Sequence, residues 1–233
     1  SCDLLNNEPN EIPTIDNYFT SETNVELYTN YFYAEFAAYG TGGASGDFYF
    51  NTLNDDQAVK GLKAWSFKNV PATDGTWSAC YQEIRRANIL LEKIDQVPDL
   101  QLPEKAANKK HWIGLARLYR AWQHYCLVRK FGNVQWLDHT LTADSTEALM
   151  AARDSRDYVM NKVLEDLNFA VANITLNGGS KTAYNVYVAN AMKAEVCLFE
   201  GTYSKYHKND AARAEKFLKE AKTAAEVIIK SGK

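Results

Sequence analysis

Apolar residues recur every three or four positions through most of this chain, which is the spacing of one face of an α-helix. The opening stretch is polar and holds Pro9 and Pro13, which prevent a continuous helix there. Ser21 is a suitable N-cap for a first helix, whose apolar face is Val25, Tyr28, Phe32, Phe36 and Tyr39. From Thr76 onward the spacing predicts five further amphipathic helices, at about 77–97, 104–130, 155–174, 185–203 and 210–230. Glycines suited to end a helix, Gly132 and Gly232, follow the second and the last of these.

These helices predict an all-α fold of stacked helical hairpins. Each apolar face is too large to remain in water, so we expect the helices to pack on one another. Short connections make helices that are neighbours in sequence antiparallel. The pattern Trp112-x2-Leu115-Ala116-x2-Tyr119 is similar to the first half of a tetratricopeptide repeat, with Ala where Gly is usual. We therefore expect a tetratricopeptide-like stack with irregular repeat spacing and long loop insertions.

A long loop region is predicted over residues 40–76. It begins with a glycine-rich stretch and carries the aromatic residues Tyr49 and Trp65, with the polar pair Asn54 and Asp55 between them. Long irregular segments of this kind are usually functional. We therefore expect ligand contacts to come from this region, because the packing of helices uses the apolar helix faces.

The composition is that of a globular protein. The chain has 233 residues, is 46% hydrophobic and carries a formal net charge of -3, which excludes wholesale disorder and gives no electrostatic reason to expect nucleic acid. No run approaches the ~20 apolar residues that a membrane-spanning helix needs. Residues 77–133 hold 10 basic and 5 acidic side chains, which we interpret as solvated helix faces and internal ion pairs.

No motif for catalysis, metal binding or cofactor binding is complete. The stretch from Gly40 to Gly46 misses the dinucleotide-binding pattern because Ser45 stands where the third glycine belongs. The four histidines form no pair at helical ligand spacing, and the chain has no nucleophile elbow. Asp55 and Asp56 have the chemistry for half of a glycosidase or calcium site, but adjacent acids in a polar loop are usually solvated. We therefore predict no catalytic residue, no metal and no cofactor, and we expect His124 to be a packed or surface histidine.

The four cysteines divide into one at the N-terminus and three within predicted helices. Cys80, Cys126 and Cys197 lie on or beside apolar helix faces, where a small hydrophobic residue is the default interpretation. Ser1-Cys2 fits the cleavage position and acylated cysteine of a bacterial lipoprotein. An ordinary free cysteine is the alternative for Cys2.

Five pieces of sequence, in order, resemble a known family. They are Ser1-Cys2-Asp3-Leu4-Leu5, Trp77-x3-Tyr81-x2-Ile84-Arg85-Arg86-Ala87-Asn88, Ala116-Arg117-x2-Arg120-Ala121 continuing to Phe131-Gly132-Asn133-Val134, Val163-x2-Asp166-Leu167-x2-Ala170, and Ala191-x2-Ala194-Glu195-x-Cys197-Leu198. With these residues the chain resembles the SusD/RagB family of Bacteroidetes outer-membrane nutrient-binding lipoproteins. The proline that often follows Gly-x-Val in that family is replaced by Gln135, which concerns the turn rather than binding.

The resemblance implies a protein held on the cell surface by lipid on Cys2, where several acyl chains give stable anchoring. It implies that residues 1–20 are a flexible tether and that residues 21–233 form the tetratricopeptide-type domain, with 40–76 as a loop insertion. Family members are longer, so we expect the chain to be an N-terminal portion that stops before the rest of the binding region. The implied function is to capture glycan and deliver it to a SusC-like TonB-dependent outer-membrane transporter, without catalysis.

Glycan recognition needs two kinds of side chain. The apolar C–H faces of sugar rings stack on aromatic rings, while sugar hydroxyls bond to planar polar groups. The candidates of both kinds are Trp65, Tyr49, Asn54, Asp55 and Trp77. The alternative for Trp65 and Trp77 is that they simply cover the helical stack.

Two other function classes stay open on the sequence alone. A helical adaptor on the same scaffold would hold a protein or peptide in its aromatic grooves. A glycosidase would use Asp55 together with a distant acid.

Overall fold

Residues 14–35, 74–142, 144–175 and 183–232 are described by the structure, which is a computed structural model. Within these ranges five long helices follow one another: α3 (Gly75–Lys93), α4 (Ala106–Phe131), α6 (Arg156–Asn173), α7 (Val186–Tyr203) and α8 (Ala211–Ser231). Shorter helices are α1 (Ile15–Tyr18), α2 (Glu22–Thr29) and α5 (Thr146–Leu149). In the described part of the chain the one sheet-like feature is an isolated antiparallel bridge between Val134 and Asp154. The predicted all-α class is confirmed.

Polar caps fix where the helices begin. Ser21 accepts a hydrogen bond from the backbone N–H of Asn24, as its position predicts. Asp74, Ser155, Asn185 and Asp210 cap α3, α6, α7 and α8 in the same way. The ends of α4 and α8 carry Gly132 and Gly232 with positive φ, a conformation that glycine adopts without strain.

The long helices pack in chain order, each against the next: α3 on α4, α4 on α6, α6 on α7, and α7 on α8. The closest approach is at Gly201 in α7, where an added Cβ would lie 2.7 Å from Cγ of Leu218 in α8. This order of contacts is the expected stack of helical hairpins.

The first predicted helix is shorter than its apolar pattern suggests. α2 ends at Thr29 and continues as a 3-10 helix over Asn30–Glu35, which places Phe32 against Tyr119 of α4 with ring centroids 4.3 Å apart. The hydroxyl of Tyr184 donates to the carbonyl of Phe32 at 2.9 Å. The rest of the predicted pattern, Phe36 and Tyr39, lies outside the described residues.

Packing against the domain begins before residue 21. Residues 14–20 fall in the expected tether, yet they include the short helix α1, and Phe19 is only 4% exposed in the core. Phe19 packs edge-on against Tyr28, with ring centroids 5.0 Å apart. The physical reason is that Tyr18 and Phe19 supply apolar surface that the polar residues before them lack. Residues 1–13, including Cys2, lie outside the described residues.

Buried charges are paired, in agreement with the interpretation of the basic residues as partners in ion pairs. Glu200 of α7 has no exposed surface and is bound by Arg156 of α6 at 2.6 Å and by Arg213 of α8 at 3.0 Å. Glu22 of α2 accepts hydrogen bonds from Lys105 and Trp112. An unpaired charge in these positions would be costly, so these contacts fix how the helices dock.

Three cysteines behave as packing residues. Cys80 and Cys197 are buried and Cys126 is half-buried. Burial raises the pKa of the Cys197 thiol to about 12, which keeps it protonated and unreactive.

Candidate functional site

A groove runs along one face of α3, between this helix and the extended chain that follows α4. We call it the α3 groove, and the chain over residues 134–142 the return segment. The cavity has a volume of about 470 Å³. Its lining includes Trp77, Tyr81, Arg85 and Asn88 from α3 with Gln135 and His139 from the return segment.

Trp77 stands at the first turn of α3. Asp74 caps this turn and also pairs with Lys130 of α4 at 2.7 Å. The Trp77 ring packs against Tyr81 and Phe131 at 5.1 Å between centroids in each case, and it is half-buried. Trp77 therefore covers part of the helical stack and also lines a cavity, while its contact with glycan stays a prediction.

Tyr81 holds the start of the return segment against α3. Its hydroxyl donates to the carbonyl of Gln135 and accepts from the backbone N–H of the same residue, both at 3.0 Å. Burial raises the pKa of Tyr81 to about 12, so the phenol stays protonated and keeps both bonds. A proline at position 135 has no N–H to give, so Gln135 permits a bond that the family's frequent proline excludes.

Asn88 holds the middle of the return segment. This side chain is fully buried, and its Nδ2 donates to the carbonyls of Leu137 at 3.1 Å and His139 at 3.0 Å. Its Oδ1 accepts from Nη1 of Arg120 at 2.9 Å. The Asn88 amide therefore donates to the return segment and accepts from Arg120 in the core.

Arg120 anchors this amide to the helical stack. Its guanidinium makes a two-point contact with Asp166 of α6, at 2.8 Å from Nε and 3.0 Å from Nη2. Arg120 and Asp166 are 6% and 3% exposed. A planar guanidinium held by a carboxylate on one edge has a fixed orientation, so α6, α4 and α3 together position the groove wall.

His124 lies behind the return segment and is fully buried. Its Nε2 accepts the backbone N–H of Leu137 at 3.2 Å, and its Nδ1 therefore carries the proton and donates to the carbonyl of Arg120 at 3.0 Å. The ring lies against Trp136, with centroids 4.2 Å apart. Burial lowers the pKa of His124 to about 3, so the imidazole is neutral at physiological pH. The expectation of a packed histidine is confirmed.

The end of the return segment is tied to the last turn of α3. Glu92 accepts from the backbone N–H of Thr140 at 2.6 Å and from its hydroxyl at 2.8 Å. Tyr81, Asn88 and Glu92 thus follow one another along α3 at spacings of seven and four residues, which places them on one helix face. The arrangement gives the groove a rigid wall of backbone carbonyls beside an aromatic end.

Of the six residues singled out from the sequence, the structure places Trp77 in the groove. Tyr49, Asn54, Asp55, Trp65 and Cys2 lie outside the described residues. The sequence argument missed Arg85, Asn88 and His139 as groove residues. The available signal was that Trp77, Tyr81, Arg85 and Asn88 share a helical spacing, and Asn88 is a polar residue between apolar neighbours.

The described residues give no support to metal chemistry or to membrane crossing by a helix. Within the ranges that the structure covers, no three His, Cys, Asp or Glu side chains are grouped as a metal site would need. None of the helices in the described ranges is long and apolar enough to span a bilayer.

Comparison with known proteins decides the family. A sequence family described as starch-binding and associating with the outer membrane, the SusD-like family, matches residues 7–213. The chain belongs to the SusD-like family. This confirms the resemblance that the five sequence pieces indicate. No curated protein sequence matches the chain.

Solved SusD-like structures share the fold at low sequence identity. A SusD-like carbohydrate-binding protein from Bacteroides fragilis superposes with a TM-score of 0.66 at 19% identity, covering 92% of this chain and 41% of its own. A SusD homologue from Bacteroides thetaiotaomicron gives 0.62 at 19% identity, covering 94% and 42%. A laminarin-binding SusD-like protein gives 0.59 at 19% identity, covering 87% and 44%. The chain spans 39% and 48% of the length of two further solved structures that it matches.

Proposed function

We propose that this chain is part of a cell-surface glycan-binding lipoprotein, which captures oligosaccharide or polysaccharide and delivers it to a SusC-like TonB-dependent transporter in the outer membrane. The observation that carries the proposal is the SusD-like family match over residues 7–213, whose description is starch-binding. A laminarin-binding protein among the structures of similar fold supports a glycan as the ligand class.

The α3 groove supplies the chemistry that such a ligand needs. Trp77 and Tyr81 present aromatic surface at one end, and Gln82 and Arg85 are exposed on the same helix. The groove wall is held by buried hydrogen bonds, so little ordering entropy is lost when a sugar binds. We propose that Trp77 contacts glycan here, and that Tyr49, Asn54, Asp55 and Trp65 add contacts from the loop region.

The test is a binding panel with the purified chain. Malto-, laminari- and other neutral and acidic oligosaccharides are titrated by calorimetry, and the release of reducing ends is followed in parallel. The proposal expects binding of at least one glycan without turnover. Turnover would indicate a glycosidase, and capture of a polypeptide with no response to any sugar would indicate an adaptor; either result contradicts the proposal.

We also propose that Cys2 carries the lipid anchor that holds the protein at the outer membrane. When the variant Cys2→Ser is expressed in a Bacteroides host from the complete gene, the protein should be absent from the outer-membrane fraction. The variant Cys126→Ser, which changes a half-buried thiol elsewhere, is the control and should fractionate as the wild type. Membrane association that persists in Cys2→Ser would exclude lipid on this residue.

A further inference from the structure

Within the described residues, one arginine at the α3 groove has no acidic partner. Arg85 lines the cavity and is exposed, and it makes no ion pair with any residue in the described ranges. Its neighbour Arg86 differs, because it pairs with Glu83 at 2.5 Å and lies over the ring of Tyr31. Arg120 differs as well, since Asp166 holds it.

A second arginine lies at the aromatic end of the groove. Arg153 is exposed, and its guanidinium carbon lies 4.7 Å from the centroid of the Trp77 ring. No ion pair to Arg153 is formed within the part of the chain that the structure describes. A guanidinium over an indole keeps its N–H groups free at the edge, so Arg153 remains a donor for a bound anion.

Among the described residues, no carboxylate lines the groove surface. The lining includes Arg85, and none of its described residues is Asp or Glu. Three carboxylates form hydrogen bonds along the return segment instead: Glu92 to Thr140, Asp154 to the backbone N–H of Trp136, and Asp138 to His139. The groove surface therefore combines aromatic rings and fixed carbonyls with an arginine that pairs with no described carboxylate.

Because a ligand complements the charge of its site, we propose that the α3 groove selects an anionic sugar unit, one that carries a carboxylate or a sulfate. The sugar ring would lie at Trp77 and Tyr81, and its acidic group would accept charge-assisted hydrogen bonds from the guanidinium of Arg85. A planar guanidinium can bind either oxyanion through two parallel N–H donors. This inference rests on the proposed function and narrows its ligand class.

The experiment uses two pairs of probes that differ only in charge. Oligogalacturonate is compared with its methyl ester for the carboxylate, and dextran sulfate oligosaccharide with dextran for the sulfate, each titrated by calorimetry at low and at physiological salt. We expect the anionic member of at least one pair to bind about tenfold more tightly than the neutral member. The pair that shows the difference identifies the acidic group.

Two variants separate the groove from general electrostatics. Arg85→Gln should abolish the preference for the anionic probe, while Arg85→Lys should keep part of it because the charge remains. Lys110→Gln removes the same charge from an exposed position on α4 that does not line the groove, and it should leave the preference unchanged. Thermal unfolding of each variant checks that the fold is retained.

The failures of the two proposals can be told apart. Neutral probes that bind as tightly as anionic ones, or a preference that survives Arg85→Gln, would overturn the anionic-sugar inference. Binding of a neutral glycan from the wider panel with none of the anionic probes would overturn this inference and leave the proposed function standing. No binding to any glycan would overturn both.

Discussion

The imidazole of His124 is enclosed between its own helix and the return segment, with no exposed surface. Its Nε2 accepts a hydrogen bond from the backbone N–H of Leu137 and its Nδ1 donates one to the carbonyl of Arg120, so a second ring proton, on Nε2, would point at the N–H of Leu137. A histidine in this setting stays neutral in the folded protein and becomes charged in the unfolded chain at mildly acidic pH. His124 thereby links the acid stability of the protein to the groove wall.

The sign of this linkage follows from the two pKa values. The pKa of His124 is about 3 in the folded protein and the ordinary pKa of histidine is 6.5, so between these values the unfolded chain binds a proton that the folded chain does not. The stabilisation is complete above pH 6.5 and is lost progressively as the pH falls toward 3. From about pH 7.5 to pH 5 we predict a loss of about 2 kcal/mol in the free energy of unfolding from this residue.

Urea unfolding at a series of pH values measures the effect. His124→Gln, whose amide oxygen is able to accept from Leu137, should flatten the pH dependence in this range. His207→Gln replaces an exposed histidine and serves as the control. An equally steep dependence in wild type and His124→Gln would show that His124 is not the group responsible.

At the scale of elements, α3 is the helix on which the groove depends. One side of α3 packs on α4, and the polar residues along its other edge hold the return segment through Tyr81, Asn88 and Glu92. The return segment has little regular structure of its own within the described residues. Its shape therefore comes from these side chains rather than from a ladder of backbone hydrogen bonds.

Asn88→Leu tests this dependence with a side chain of similar size. The change leaves the carbonyls of Leu137 and His139 without the Asn88 donor and removes one of the two acceptors of Arg120 Nη1, the other being the carbonyl of Asp138. Unpaired buried polar groups cost about 1–3 kcal/mol each, and with relaxation of the segment we predict a loss of about 3 kcal/mol in the free energy of unfolding. Hydrogen exchange at residues 137–140 should become faster than in the wild type.

Asn173→Leu is the matched control, because among the described residues the Asn173 amide donates to Phe169 of its own helix, at 2.8 Å, and not to another segment. We expect Asn173→Leu to lose less than about 1 kcal/mol in the free energy of unfolding. If Asn88→Leu were as stable as Asn173→Leu, with unchanged exchange in the return segment, the buried amide would not be what holds the groove wall.

The long helices could be predicted from the sequence because each buries a continuous apolar face, which a period near 3.6 reveals. Gly132 and Gly232 marked the helix ends for a similar local reason, since glycine alone adopts positive φ freely. The groove could not be predicted in the same way. Asn88 and Tyr81 act through long-range hydrogen bonds to backbone groups 40 or more residues away, and no local pattern records such partners.

For the helix after Ser21, the apolar periodicity predicted a longer α-helix than the structure has. The spacing of Val25, Tyr28 and Phe32 suits an α-helix, yet the chain tightens into a 3-10 helix at Asn30. The stacking of Phe32 on Tyr119 and the bond from Tyr184 to its carbonyl are tertiary contacts, and they outweigh local helix preference. The same kind of contact draws Phe19 into the core from a stretch whose composition resembles a tether.

At the scale of the whole molecule, the helical stack supports the groove without itself supplying ligand chemistry. The apolar helix faces are buried where α3, α4, α6, α7 and α8 pack on one another. Buried ion pairs around Asp166 and Glu200 fix these helices in place. The edge of α3 and the return segment are therefore where we propose that ligand is recognised.

The most direct measurement is the affinity of the glycan identified by the panel for Trp77→Leu, compared with Trp122→Leu. Trp122 is a half-buried tryptophan of α4 that does not line the groove, so it controls for the loss of an indole. The account predicts that Trp77→Leu weakens binding by about tenfold or more, which is ~1.4 kcal/mol, while Trp122→Leu binds as the wild type does. Equal affinity in wild type and Trp77→Leu, with both variants folded, would contradict the assignment of glycan binding to the α3 groove.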